Sequence, residues 1–83
     1  PNPFTTNTNI EYTLKETGLV TINVYNIKGQ LVRQLVAEHK TPGNYTINWD
    51  ATNDHRKFVG SGYYFYKITS GGNTHSEKMV LVR

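Results

Sequence analysis

Oxygen and nitrogen ligands are the first residues in this sequence that could do chemistry. Asp50, Asn53 and Asp54 crowd three oxygen-bearing side chains into five positions, and crowded oxygens in a loop can hold calcium. Their spacing does not follow the EF-hand pattern, and Arg56 and Lys57 stand beside them as competing cations. The alternative use of these side chains is to cap the loop's own backbone as Asx turns. His39, His55 and His75 are the three imidazoles; they lie far apart, and nothing in their spacing requires convergence on zinc. With no cysteine in the chain, disulfides, thiolate nucleophiles and Cys-based zinc sites are excluded. Serines and threonines lack a nucleophile-elbow sequence, and the six acids are too scattered to suggest a paired-carboxylate mechanism. The domain is expected to be non-enzymatic, with no cofactor and no metal. Asn44-Tyr45-Thr46 matches a glycosylation sequon, which we read as chance.

Two further features invite recognition more than catalysis. Tyr25, Tyr63 and Phe65 fall on outward positions of candidate strands, so they could form an aromatic platform for sugars or simply pair across a sheet. The chain also finishes on Lys78-Met79-Val80-Leu81-Val82-Arg83, an apolar run with a basic residue at each end. Such a segment frays in water unless a neighbour pins it as a strand. Its flanking charges would keep the strand ends wet.

The positioning elements read as strands. Six tyrosines in 83 residues and an aromatic content of 12% suit sheets better than helices. Ile10, Tyr12 and Leu14 alternate with polar residues, and so do Val20, Ile22 and Val24, then Tyr45, Ile47 and Trp49, then Tyr64, Tyr66 and Ile68, which is the period-two signature. Leu31, Val32, Leu35 and Val36 are spaced ambiguously and would also suit one face of a helix. Turn chemistry separates the runs: Glu16-Thr17-Gly18, Asn26-Ile27-Lys28-Gly29, a type II turn expected at Thr41-Pro42-Gly43-Asn44, and Gly71-Gly72. Glu38-His39-Lys40 reads as an exposed polar connection, and 50–62 as the longest irregular segment. About seven short strands and no convincing helix point to an all-β, antiparallel sandwich of the immunoglobulin or fibronectin type. The last strand is expected to pair with Tyr63 to Ile68 and to be covered on both faces. Residues 1–83 form one domain, with 1–8 a linker remnant leading into the first strand. The start at Pro1 suggests a tail module cut from a longer protein.

A formal charge of +3, carried by basic residues spread along the sequence, does not suggest a nucleic-acid partner. No apolar run reaches the roughly 20 residues of a membrane-crossing helix, and no charged leader opens the chain.

Five motifs in register complete the reading: Pro1-Asn2-Pro3-Phe4, Val24 through Val32 at the first hairpin, Pro42-Gly43-Asn44-Tyr45 before a strand ending Trp49-Asp50, Gly60 through Ile68, and the basic-apolar-basic ending. Together they resemble the type A C-terminal sorting domain of proteins exported by the type IX secretion system, over essentially the whole chain. The resemblance implies a delivery tag whose cargo crosses the inner membrane by a separate leader. The outer-membrane translocon then reads the tag, which is often cleaved as cargo is anchored. It implies recognition residues Tyr25, Asn26, Lys28 and Gly29 at the hairpin, and Lys78, Met79, Val80, Leu81, Val82 and Arg83 at the end. It further implies the translocon and an N-terminal cargo as partners, a monomer, and a secreted or surface location reached through the periplasm of a Gram-negative bacterium. The Ig-like domain of the flagellar hook-capping protein is a related pattern sharing Trp49-Asp50 and the stretch from Gly62 to Ile68, so those positions cannot separate the two. An accessory module of a secreted enzyme, structural or carbohydrate-binding, is the other alternative. The loop from Asp50 to His55 departs from the family pattern in lacking glycines.

Overall fold

A computed structural model describes residues 3–83; Pro1 and Asn2, half of the opening motif, lie outside the described residues. Six strands follow in order: β1 (Thr8–Leu14), β2 (Gly18–Asn26), β3 (Leu31–Lys40), β4 (Gly43–Trp49), β5 (Gly62–Ser70) and β6 (Asn73–Leu81). They form an antiparallel β-sandwich, with β1-β4 packed on a four-stranded sheet ordered β3-β2-β5-β6. Among the described residues the count is six, where about seven were expected.

Alternation does what it implies. Val20, Ile22 and Val24 are completely buried, because β2 is a central strand whose inner face meets the other sheet. Tyr64, Tyr66 and Ile68 turn inward from β5. Two contiguous clusters make the core, one around Trp49, Val24, Tyr64 and Leu81, the other around Val20, Ile22, Leu14 and Val36. The hairpin at Gly71 and Gly72 closes with both glycines at positive φ (55° and 81°) and Ser70 opposite Asn73, as a two-residue turn between twisted strands requires.

The helix-like spacing in β3 has a structural cause. Its register against β2 shifts between Ile22 and Asn23 and again between Val24 and Tyr25, so Leu35 and Val32 are extra residues. These are β-bulges, which break a period of two without breaking the strand. β3 also runs on through Glu38, His39 and Lys40, expected as a connection, because the start of β2 remains available to pair with them, Gly18 opposite Lys40.

Two other expectations change. Gly43 opens β4 at φ 154°, not the roughly +80° of a type II turn. Pro42 carries the chain from one sheet to the other, whereas a tight reversal would return β4 onto β3 in the same sheet. The opening segment is tied into the fold. Phe4 forms a parallel bridge to Leu81, donating its N–H to the Val80 carbonyl (2.9 Å) and accepting from the Val82 N–H (2.9 Å). Its ring is buried against Trp49.

Candidate functional site

Asn26 builds the hairpin end. Its backbone closes the β2–β3 connection with Gln30 (3.0 Å) and receives the Gly29 N–H (3.0 Å). Its side-chain Oδ1 accepts the Lys28 and Gln30 N–H groups, both at 3.0 Å, a local cap that Asn suits by its length. Gly29 takes φ 79°, a conformation that strains any residue with a Cβ. The tip therefore presents Ile27, 71% exposed, and the exposed Lys28 on a fixed backbone.

The terminal strand divides by parity. Met79 and Leu81 are buried, Val80 is half-buried, and Val82 is half exposed. Among the described residues it is covered on one face only, because no third layer of strands lies over the outer face of the four-stranded sheet. Tyr63 pairs with Val80 as expected, and Phe4 protects the far edge.

Arg83 does not project as an unattached charge. Its N–H bonds Ser61 Oγ (2.9 Å), its Nε donates to the Val59 carbonyl (2.9 Å), and its guanidinium lies 4.8 Å from the centre of the Phe58 ring. The end of the chain thereby straps down the 50–61 loop. Deleting 78–83 would remove Met79 and Leu81 from the core, so it would test folding before recognition.

Registers bring the two expected recognition elements together. Tyr25 pairs with Leu31 on one side and Phe65 on the other, and Phe65 pairs with Lys78. Asn26, Tyr64 and Met79 form the neighbouring row. Strands are spaced about 4.8 Å apart, which sets Tyr25 and Lys78 about 10 Å from each other. From sequence, Leu31 is not singled out as a site residue, and Phe65 enters only in the aromatic platform with Tyr25 and Tyr63, not among the recognition residues. The two-residue Gly71-Gly72 turn already fixes Phe65 opposite Lys78 and could have found that half of the row.

The loop oxygens act inside the protein. Asn53 Oδ1 accepts the His55 and Lys57 N–H groups, and Asp54 Oδ1 accepts the Gln34 N–H. Asp50 Oδ1 accepts both the Thr52 hydroxyl and its N–H. That hydroxyl, with Arg33 as a smaller contributor, holds the Asp50 carboxyl below its usual value. Arg33 sits at the centre: Nη1 donates to Thr52 Oγ1 (2.6 Å) and the Asn53 carbonyl (3.3 Å), and it faces Asp50 and Asp54 at 3.9 Å. The acids use their charge on an internal cation. His39, His55 and His75 are exposed on β3, the loop and β6 respectively, and among the described residues no three metal-ligating side chains converge. A groove of about 530 Å³ opens at the opposite end of the sandwich between β1 and the β5–β6 turn, over Tyr12, Leu14 and Ile68.

In and just after the glycine-free stretch from Asp50 to His55, Ala51 and Arg56 adopt φ 61° and 62°. Left-handed backbone costs a side-chain-bearing residue about 1 to 2 kcal/mol, partly offset by glycine's freer unfolded state. Arg56→Gly is expected to stabilise the domain by about 0.5 to 1 kcal/mol, read as a raised midpoint in urea. Ala51→Gly should give no such gain, since the Ala51 methyl is fully buried.

Comparison with known proteins bears on the fold and the family. Among solved structures, the chain is similar to dimeric latent PorU from Porphyromonas gingivalis, with 21% identity and a TM-score of 0.77, across 99% of this chain and 9% of that one. At that identity the likeness concerns the fold. No curated protein matches the chain. The family model described as the secretion system C-terminal sorting domain matches residues 1–82. That match takes in the whole sandwich and all five motifs but for the final Arg83, and the chain belongs to the C-terminal sorting domains of type IX secretion.

Proposed function

We propose that the export machinery reads this domain at the hairpin end of its four-stranded sheet, through Tyr25, Asn26, Lys28 and Gly29 together with residues 78–83. The domain itself is non-catalytic, follows a cargo, and delivers that cargo to the cell surface or the medium, where it can be cleaved from anchored cargo. One observation carries the reading: elements about 50 residues apart in sequence share one rigid sheet end, their backbones locked by the Asn26 cap and the Phe4 bridge. A receptor can therefore engage both at once without ordering either.

The test is a reporter placed between a secretory leader and residues 1–83 in a bacterium that performs type IX export. Lys28→Glu is expected to lower exported reporter about tenfold, equivalent to roughly 1.4 kcal/mol of binding, with the unfolding midpoint unchanged. Leu81→Ala should instead cost about 2 to 5 kcal/mol of stability, because its side chain is 1% exposed, and should reduce export only as far as it unfolds the domain. Export that persists after removal of the whole domain would overturn the assignment.

A further inference from the structure

Paired residues point to the same side of a sheet, so the registers sort the outer face of the four-stranded sheet residue by residue. Leu31, Tyr25, Phe65 and Lys78 cross it in one row, and Tyr63 beside Val80 lies one step nearer the chain end. In the other direction the face turns polar, with Asn23, Lys67 and Ser76 in one row and Thr21, Thr69 and Thr74 in another. Among the described residues, none that these strands turn outward is acidic; Asp54 reaches the β3 edge, where its carboxylate accepts the Gln34 N–H. Glu38, opposite Val20, and Glu77, opposite Tyr66, belong to inward rows, and the other four acids lie outside these strands. The β1–β4 sheet covers the inner face, while Leu31 and Tyr63 remain about half exposed.

Resting on the reading above, we infer that Leu31, Tyr25, Phe65, Tyr63 and Val80 form the apolar centre of the docking surface, and that its occupant is a folded protein of the export machinery presenting an apolar patch rimmed by carboxylates. The aromatic anchors are held in place before binding. Asn23 Nδ2 donates to the Tyr25 hydroxyl (3.3 Å), and Lys78 Nζ stands 5.0 Å from the centre of the Tyr63 ring. Preheld aromatics lose little freedom on docking, and tyrosine is enriched among the residues that carry interface energy. Lys67 and Lys78 on a face where these strands turn no acid outward, with Lys28 at its tip, complement carboxylates.

Charge and composition argue against other occupants. A two-fold pairing of two copies sets the same lysines near one another. Anionic bilayers are read by clusters of about 4 to 8 basic residues, and this face carries two lysines. A sugar site needs polar groups converging beside its rings, whereas Tyr25 is flanked by Leu31 and Tyr63 by Val80.

The same reporter fusion tests the surface. The double variant Tyr63→Thr with Phe65→Thr keeps strand-favouring residues and is expected to lower export at least about tenfold, while Thr69→Ser leaves export unchanged. Lys67→Glu should lower export several-fold, and a photo-cross-linker at position 63, but not at 69, should join the domain to a protein in exporting cells. Leu31→Thr, at a half-exposed edge position, gives the same loss without risk to the core should the double variant unfold. Export of folded Leu31→Thr and double variants within twofold of the parent overturns the surface. If Lys28→Glu still blocks export in that case, the hairpin reading survives alone; if the parent is not exported, that reading fails first. Co-sedimentation with phosphatidylglycerol-phosphatidylethanolamine vesicles, or retention on immobilised polysaccharide, that the double variant abolishes would overturn the protein occupant in favour of lipid or glycan.

Discussion

Trp49→Ala is expected to cost about 3 to 5 kcal/mol, a large share of the roughly 4 to 12 kcal/mol that a chain of this length holds in total. Trp49 is completely buried at the end of β4. Its ring meets Phe4 and Tyr64 edge-on, with centroids 5.8 and 5.3 Å away, so it joins the opening segment, the small sheet and the large sheet. The indole N–H donates to the Thr52 carbonyl at 2.9 Å, which makes the side chain a fastener for the 50–61 loop as well. Trp49→Phe separates the two roles: it keeps a ring but orphans that carbonyl, at a cost of about 1 to 3 kcal/mol. Urea unfolding followed by far-ultraviolet circular dichroism measures both, since the substitution removes the chain's single tryptophan and its fluorescence. A Trp49→Ala midpoint matching Trp49→Phe would show that contact with the two neighbouring rings adds nothing.

Phe4→Ala is expected to lower stability by about 3 kcal/mol and the melting temperature by roughly 12 °C or more. Nothing in a segment opened by two prolines announces this. Phe4 is 6% exposed, and its backbone holds both Val80 and Val82. The substitution should therefore loosen the terminal strand where Met79 and Leu81 enter the core, raising amide exchange at Val82. Melting within about 2 °C of the parent would reduce the bridge to a passive contact. Phe4→Leu, which refills most of the space, should recover the greater part of the loss.

These two residues mark what was legible before folding. The fate of Trp49 could be read from alternation with Tyr45 and Ile47 and from its size. The fate of Phe4 could not, because its partners lie some 45 and 77 residues away and follow no local period. Arg83 is similar: a basic residue at a strand end predicts a wet flank, and only the approach of the 58–61 segment turns it into a clamp.

The sequence by itself determined the strands whose side chains alternate, the hairpins whose turns need Asn26, Gly29 and Gly71-Gly72, the inward and outward sides of β2 and β5, and the resemblance to sorting domains. The strands, hairpins and faces depend on sterics within a few residues, where backbone preference and side-chain period act directly, and the resemblance rests on five motifs in register along the chain. Tertiary structure alone decided the two bulges of β3, the crossing at Pro42 and the docking of Phe4. It also decided the meeting of the Lys28 hairpin with the terminal strand across β5. Those depend on which faces can cover one another and on pairings that close long loops, a free energy shared by the whole chain and carried by no local stretch of it.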